Sequence, residues 1–397
     1  MKLSAMTLVM TAVVLSGCVK STSAINSAIA APPSSATAMP NLPPANSSPS
    51  KPINTAPSTS TSSTTTLAAE GRDPAQFPAF VEQLKTQALQ QGISQRTIDS
   101  AFANVHFIDR VISSDRNQLE KKVTLDDYLA RVLPEWKIKQ GQTQYQNNLS
   151  ALNAVSQRYG VQPQYIVALW GMESSFGKIQ GKEDVFSALA TLAFEGRREA
   201  FFTKELMAAL KIVDQGKASS DMMKGSWAGA MGQSQFMPSS FLRYGADGDG
   251  DGKIDIWNNT DDVFASAANY LATEGWQAGQ SWGQEVKLPA GFDSNLAGIK
   301  PAQVHPVSYW QQLGVTSANT QVLPSGVARA WIITPDDQQG RSFMVYDNFR
   351  TIMHWNRSYY FAISIGMMAD AIAQSSSAPT DSLIPTTQTP HNVFSGG

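Results

Sequence analysis

The sequence predicts a mainly α protein of the α+β type, with a small antiparallel β insertion in its C-terminal half. Apolar residues recur at helical spacing between residues 77 and 152. The same spacing predicts further helices around residues 164–173, 188–210, 263–274 and 350–373. Two shorter segments, 328–333 and 342–346, are typical of strands and are joined by a plausible hairpin loop at 336–340.

The N-terminus carries a targeting signal. Lys2 is followed by fifteen uncharged, largely apolar residues and then by Cys18, the single cysteine of the chain. Because a helix needs roughly 20 residues to cross a bilayer, residues 1–17 fit a signal peptide better than a membrane span. Residues 15–18 read LSGC, which resembles the lipobox of bacterial lipoproteins, with an ordinary secretory signal as the alternative. The resemblance implies lipidation of Cys18 and, with Val19 following, the periplasmic face of the outer membrane of a Gram-negative bacterium.

The composition then changes twice. The segment from 21 to 67 has one charge, no aromatic residue and eight prolines, so it buries too little apolar surface to offset its ordering entropy. Residues 18–68 are therefore predicted to be a lipidated, disordered tether. A folded catalytic domain is expected over residues 69–374, with its β insertion at about 283–347. A Ser-, Thr- and Pro-rich tail, 375–397, is predicted to be disordered.

Charge and composition exclude several classes of protein. Lysine and arginine number 30 against 32 acidic residues, giving a net charge of −2, so no basic excess is available for a nucleic-acid backbone. One cysteine forms neither an internal disulfide nor a thiolate zinc site. The four histidines are far apart in the sequence, which disfavours a histidine-based metalloenzyme.

Glu173 is the candidate catalytic residue. Pro163 stands where a helix can begin, since proline loses no hydrogen bond in the first turn. On that helix Glu173 shares a stripe with Ile166, Leu169 and Trp170 and should therefore point inward. Burial and the negative end of the helix dipole both raise the pKa of a carboxyl group, which suits a general acid. The alternative is a buried glutamate held by a cation or by backbone amides.

Two motifs connect this residue to a known family. Residues 173–177 read ESSFG, and residues 226–241 read SWAGAMGQSQFMPSSF. Together they resemble the signature of the lytic murein transglycosylase B family, glycoside hydrolase family 103, whose members have a lysozyme-like helical catalytic core with an additional helical region. The likeness extends over roughly 300 residues and includes residues 115–116, 192–198, 268–270 and 355–356.

The resemblance implies an activity. Family members cleave the β-1,4 bond between N-acetylmuramic acid and N-acetylglucosamine in peptidoglycan without water and give 1,6-anhydro products. One glutamate, here Glu173, acts first as acid and then as base, and no cofactor is implied for catalysis. A retaining hydrolase would need a second carboxylate about 5 Å away, and Glu183 and Asp184 are close enough in sequence to be candidate helpers.

The resemblance also implies sugar contacts. Ser226, Gln235 and Asn356 match positions that contact or line the site, and Tyr270 and Tyr128 are further candidates. Trp355 stands where relatives carry Tyr beside this Asn, and Phe361 replaces another Tyr. The alternative for each aromatic side chain is core packing, which we prefer for Trp136, Trp310 and Trp331. Arg197 and Arg198 could meet acidic stem peptides or pair with neighbouring carboxylates.

A calcium-like loop follows the second motif. Residues 247–255 read DGDGDGKID, which places Asp247, Asp249 and Asp251 at positions 1, 3 and 5 of an EF-hand loop and the Lys253 carbonyl at position 7. Position 12 departs from the pattern, and the family resemblance implies a later closing carboxylate, Asp262 or, as the alternate, Asp261. A structural Ca²⁺ is therefore expected, with a solvated acidic turn as the alternative.

The function predicted is a tethered lytic transglycosylase whose partners are peptidoglycan strands and the outer membrane, with cell-wall synthesis enzymes as candidate protein partners and no nucleic acid. Two other functions remain open at this stage. One is a catalytically silent peptidoglycan-binding scaffold lipoprotein, and the other is a muramidase that adds water. Glu173 in its full motif favours the transglycosylase.

Overall fold

The computed structural model describes residues 72–116, 123–319, 322–338 and 340–376. Within them, helices α1 to α14 are Phe77–Gln90, Gln95–Phe102, Asp109–Arg116, Leu125–Val132, Glu135–Asn147, Leu149–Tyr159, Pro163–Ser174, Val185–Glu195, Glu199–Asp214, Pro238–Tyr244, Thr260–Thr273, Val307–Gln312, Asp347–Trp355 and Tyr359–Ser376. Strands β1 to β7 are Glu183–Asp184, Lys224–Gly225, Gly283–Lys287, Thr316–Ser317, Trp331–Ile333, Pro335–Gln338 and Ser342–Val345. The predicted fold class is confirmed. The predicted signal peptide, Cys18, the tether and the tail beyond Ser376 lie outside the described residues.

Two helices form the centre of the molecule. Helix α7 begins with Pro163 at its first position, as predicted, and every residue from 165 to 171 is buried. Helix α8 buries ten consecutive residues, 185–194. A helix that is apolar all round belongs in a core, and α5, α6, α11 and α14 pack around α7 while α9 lies along α8. No described helix has both the length and the apolar character required to cross a membrane.

The sheet is antiparallel, in the order β4-β3-β7-β5. Its central strand, β7, pairs Val345 with Trp331 of β5, which confirms the pairing predicted for these two segments. Alternate side chains of the sheet enter different cores: Trp331 and Phe343 join the large helical core, whereas Ile332 and Met344 join a smaller core around Trp310. Since both faces are covered, the sheet is fixed against the helical part of the chain.

Two of the predicted long helices are interrupted. The segment 188–210 divides at Gly196, whose φ of 96° ends α8. The turn that follows presents Arg197 and Arg198, and both guanidinium groups donate to the buried carboxylate of Asp115. The structure therefore favours pairing with a neighbouring carboxylate over a stem-peptide contact for these two arginines.

The predicted helix 350–373 also divides, at Asn356. This residue is extended, with φ of −145°, and its Oδ1 accepts a hydrogen bond from the backbone of Ser358. The Ser358 hydroxyl in turn accepts from the backbone of Phe361. Short polar side chains that bond the nearby backbone compete with helix formation, so the prediction of one continuous helix over residues 350–373 is wrong.

The tryptophans assigned to core packing behave differently from one another. Trp310 and Trp331 are fully buried, and their indole nitrogens donate to the carbonyls of Ala330 and Lys300. Trp136 is 61% exposed, so the prediction that it packs in the core is wrong. It lies near the start of α5, a helix that buries very few of its residues.

Candidate active site

The end of α7 fixes the position of Glu173. Ser175 and Phe176, which follow it closely, have positive φ values of 50° and 60°, a conformation that costs ordinary residues free energy. Local contacts hold this turn: the Phe176 amide donates to the Trp170 carbonyl, and the Ser174 hydroxyl accepts from the Gly177 amide. The helix therefore stops immediately after its carboxylate, and the second motif packs against the end.

Gln233 joins the two motifs. Its Oε1 accepts a hydrogen bond of 2.8 Å from the indole of Trp170 on α7, and its Nε2 donates to the Trp257 carbonyl over 2.9 Å. The side chain is buried, so both bonds are made away from water. Gln233 belongs to the second motif, where no role was predicted for it, and the structure makes it the link between α7 and the 226–241 segment.

An open cleft lies above this junction. Glu173 lines this cleft and is partly buried. The other polar lining residues come from three separate parts of the chain and are Ser226, Gln235, Ser240, Tyr270 and Asn356. Aromatic walls are provided by Trp227, Phe236 and Trp355. Among the described lining residues Glu173 is the only carboxylate.

The surroundings of Glu173 favour its protonated form. Burial raises its pKa to about 7, while the hydrogen bond from Trp355 and the positive charge of Lys137 act in the opposite direction. Trp355 Nε1 donates to Glu173 Oε1 over 2.8 Å. A carboxyl group with such a pKa can both give and take a proton near neutral pH, which is what an acid that later acts as a base requires.

An aromatic cluster holds Trp355 in place. Its ring centroid lies 4.6 Å from that of Tyr270 and 5.2 Å from that of Phe236. Tyr270 in turn packs 4.4 Å from Tyr244, and burial raises the pKa of the Tyr270 phenol. The cluster connects α11, α13 and the second motif, so the indole that bonds Glu173 has little freedom to move.

Five of the six predicted sugar contacts line the cleft: Tyr270 and Trp355, described above, and Ser226, Gln235 and Asn356. Ser226 Oγ accepts hydrogen bonds from the amides of Ala228 and Ala230, so its own proton is free to be donated. Gln235, which has a φ of 48°, uses its Nε2 to donate to the carbonyls of Gln180 and Gly232, leaving Oε1 as an acceptor. Asn356 lies at the end of α13, beside Trp355.

Other candidates lie elsewhere. Tyr128 is not among the described lining residues. Burial raises the pKa of its phenol, and the negative charge of the nearby Glu173 carboxylate raises it further. Glu183 pairs with Arg110, and Asp184 caps α8 through the Ser187 amide. Neither carboxylate lines the cleft, so the expectation that they are candidate helpers finds no support in the geometry.

One charged neighbour was missed by sequence reasoning. Lys137 on α5 is only 9% exposed, and its ammonium acts electrostatically on Glu173. A lysine within a polar helix is ordinarily interpreted as solvated, and no spacing in the sequence marks this one as different.

The acidic loop forms a compact group of carboxylates. Ligand atoms of Asp247, Asp249 and Asp251 all lie within 4.8 Å of one another. Asp262 is not in this group: it is fully buried, and its two oxygens accept hydrogen bonds from the amides of Gly248 and Asp255. Asp262 therefore connects the two sides of the loop through these hydrogen bonds, instead of joining the group of carboxylates.

A helical fold with one carboxylic acid among the described residues of an open cleft, between the ESSFG turn and the 226–241 segment, defines a class of proteins suited to acid-base chemistry. Residues 76–370 of the chain match the family model of the transglycosylase SLT domain. The chain belongs to this family.

Known relatives agree with that assignment. Membrane-bound lytic murein transglycosylase B of Escherichia coli (strain K12) is 35% identical over 237 residues, which span 56% of this chain and 60% of that relative. SltB3 from Pseudomonas aeruginosa, solved in complex with NAG-NAM-pentapeptide, is 42% identical, with a TM-score of 0.71 over 75% of this chain and 79% of SltB3. The Escherichia coli lytic transglycosylase Slt35, solved in complex with calcium, is 27% identical, with a TM-score of 0.64 over 78% of this chain and 95% of Slt35.

Proposed function

We propose that this protein is a peptidoglycan lytic transglycosylase that cleaves the MurNAc-β-1,4-GlcNAc bond without water. The observation that carries the proposal is Glu173, the single carboxylate among the described cleft residues, whose burial raises its pKa to about 7. Family membership and the muropeptide complex of SltB3 support the choice of substrate.

The reaction that this arrangement suits has two proton transfers. Glu173 first gives its proton to the glycosidic oxygen as the bond from that oxygen to C1 of the muramoyl sugar breaks. The resulting carboxylate then takes the proton of the C6 hydroxyl, and O6 bonds to C1 to close the 1,6-anhydro ring. The hydroxyl replaces both the nucleophile and the water of a retaining hydrolase, so one carboxylate is sufficient and no cofactor is needed.

The other cleft residues would bind and orient the sugars. Ser226 and Asn356 present donors, and Gln235 presents an acceptor, which suits hydroxyl and acetamido groups. Tyr270 and Trp355 provide apolar aromatic surface. We place Tyr128 beyond the sugars, behind Glu173, where it contributes to the surroundings of the acid.

We also propose a structural Ca²⁺ in the acidic loop. The donors are all oxygens, as this ion prefers. One carboxylate oxygen from each of three aspartates lies within 4.8 Å of the other two. Asp247, Asp249, Asp251 and the Lys253 carbonyl would hold the ion, which would offset the repulsion between the carboxylates. The calcium complex of Slt35 supports this assignment.

We further propose that the chain is an outer-membrane lipoprotein facing the periplasm. The LSGC sequence that ends at Cys18 supports lipidation, and the relative from Escherichia coli is named as membrane-bound. A tether of about 50 residues would let the catalytic domain reach the wall from that membrane. Labelling with a radioactive fatty acid tests this, since Cys18→Ala should abolish incorporation.

Product analysis tests the activity. Purified sacculi are digested with the domain, and released fragments are weighed by mass spectrometry, where anhydro-muropeptides are expected. Hydrated muropeptides would indicate a muramidase, and no release would indicate a binding scaffold. Glu173→Gln should lower the rate at least about 100-fold, because a positioned acid contributes that much, while sedimentation with sacculi remains unchanged. Digestion at the parent rate by this variant would disprove the assignment of the acid.

A further inference from the structure

Lys137 is a buried cation in a helix that buries few of its residues. The residues that α5 buries are Lys137 and Gly141, one turn apart. At Gly141 an added Cβ would lie 3.1 Å from side-chain atoms of Ile372 and Met368, so this stripe faces α14 closely. The lysine therefore lies on the inward face of α5, where α5 also packs against α7.

The immediate contacts of the ammonium do not explain its burial. Nζ lies 3.9 Å from Met172 Sδ, which is a weak acceptor. Within the described ranges no carboxylate oxygen lies within 4.0 Å of it, so it forms no ion pair in the resting structure. Burying a charge without a partner is costly. The charge that acts on Lys137 is that of Glu173, the residue after Met172.

We propose that Lys137 is the counter-charge for the carboxylate that Glu173 becomes during the reaction. This inference rests on the proposed function. Glu173 is neutral before it protonates the glycosidic oxygen and becomes neutral again when it takes the proton from the C6 hydroxyl. Its negative charge exists only between those events, and in a poorly solvated site a fixed cation stabilises such a charge strongly. Lys137 keeps its own protons throughout and does not touch the substrate, so it is a positioning residue.

Neither Tyr128 nor Trp355, the other groups named beside Glu173, can take this role. Tyr128 of α4 has a phenol whose pKa is raised, so it carries no charge near neutral pH, and Ser364 of α14 faces that phenol. Trp355 at the end of α13 donates a neutral hydrogen bond. Burial lowers the pKa of Lys137 and raises that of Glu173, and the opposite charge of the other group acts against each of these two shifts.

The test compares two substitutions at position 137. Lys137→Met keeps an unbranched side chain without the charge, and Lys137→Arg keeps the charge. Anhydro-muropeptide release is measured between pH 5 and pH 9, with the melting temperature recorded at each pH. We expect kcat of Lys137→Met to fall about 10-fold or more, and the alkaline limb of kcat/KM to move to higher pH, because removal of a cation raises the pKa of a carboxyl group. Lys137→Arg should restore most of both.

Lys139→Met is the matched control, since this exposed lysine two residues along the helix pairs with Glu135. It should have the parent profile. If Lys137→Met does not fold, Lys137→Gln gives the same expected shift with a polar side chain. An unmoved alkaline limb in the uncharged variants, or a loss that Lys137→Arg does not reverse, would overturn the inference. Absence of anhydro products from the parent enzyme would instead overturn the proposed function.

Discussion

Trp355 Nε1 donates to Glu173 Oε1 over 2.8 Å, and this contact distinguishes the two oxygens of the carboxyl group. An indole N–H is a donor and never an acceptor, so Oε1 is an acceptor whether or not Glu173 carries its proton. The proton that is transferred is therefore best accommodated on Oε2.

Removal of this donor should move the pH profile. Trp355→Phe keeps an aromatic ring against Tyr270 but loses the N–H, so the pKa of Glu173 should rise and the alkaline limb of kcat/KM should move to higher pH. Rates of anhydro-muropeptide release from pH 5 to pH 9 provide the measurement. Trp227→Phe is the control, because this other cleft tryptophan has no bond to Glu173. If the Trp355→Phe profile is lower at every pH but unshifted, the indole acts only through packing.

The parent enzyme should lose activity and stability as the pH rises. Activity requires protonated Glu173, so kcat/KM should fall as the pH passes about 7. The pKa is higher in the folded than in the unfolded state, so the folded state retains a proton that the unfolded state loses above its ordinary pKa of 4.5. The free energy of unfolding therefore decreases as the pH rises from 4.5 to about 7, by on the order of 3 kcal/mol.

Glu173→Gln isolates that effect, since glutamine has no proton to lose. Its melting temperature relative to the parent should be higher at pH 8 than at pH 4.5, as measured by calorimetry. An equal difference at the two pH values would mean that the carboxyl group titrates in the folded protein as it does in water.

Calcium should stabilise the fold. Bound ligand adds free energy of unfolding as its concentration exceeds Kd, by about 2.7 kcal/mol at 100 times Kd, so millimolar Ca²⁺ should raise the melting temperature by several degrees and EDTA should reverse it. Asp249→Asn should remove most of the response, whereas Asp221→Asn, at an exposed site outside the loop, should retain it. A melting temperature that changes with neither Ca²⁺ nor EDTA would contradict the proposed site.

A close approach between two backbones supports the cleft. At Gly181, where φ is +85°, an added Cβ would lie 2.0 Å from the carbonyl oxygen of Gly225, the residue before Ser226. Gly92 has a similar φ of +82° with no atom within 4 Å. Gly92→Ala should cost about 1 kcal/mol of unfolding free energy from its backbone alone, and Gly181→Ala clearly more, with loss of activity. Denaturant unfolding measures the free energy of unfolding of both variants. Equal losses would show that the backbone around Gly225 can move away from the added Cβ at little cost.

Periodicity identified α7, the helix that carries Glu173, because its signals are local. Pro163 begins α7, and the spacing of Ile166, Leu169, Trp170 and Glu173 placed the carboxylate inward, where the structure has it partly buried. The break at Asn356 was not predicted, since it depends on two short polar side chains preferring their own backbone to a helical bond. Lys137 was missed because its burial results from contact with distant helices.

The β insertion also contributes to the site in a way that no local pattern indicates. Asp336, in β6, accepts a hydrogen bond of 2.7 Å from the backbone of Leu125, the first residue of α4, and another from the hydroxyl of Tyr360. Helix α4 carries Tyr128, whose ring lies 5.5 Å from that of Tyr360. The β insertion thus steadies the helix behind Glu173.

Because Trp355 is the last residue of α13, its hydrogen bond to Glu173 depends on the length of that helix. Each residue added to a helix rotates everything after it by about 100°. One extra residue between Met353 and Trp355 would swing the indole of Trp355 away from its carboxylate, while the buried residues of α13, which end at Met353, could still pack. Insertions and deletions in this stretch should therefore move the pH profile as Trp355→Phe does, and homologues with the same profile should hold its length constant even where its residues differ.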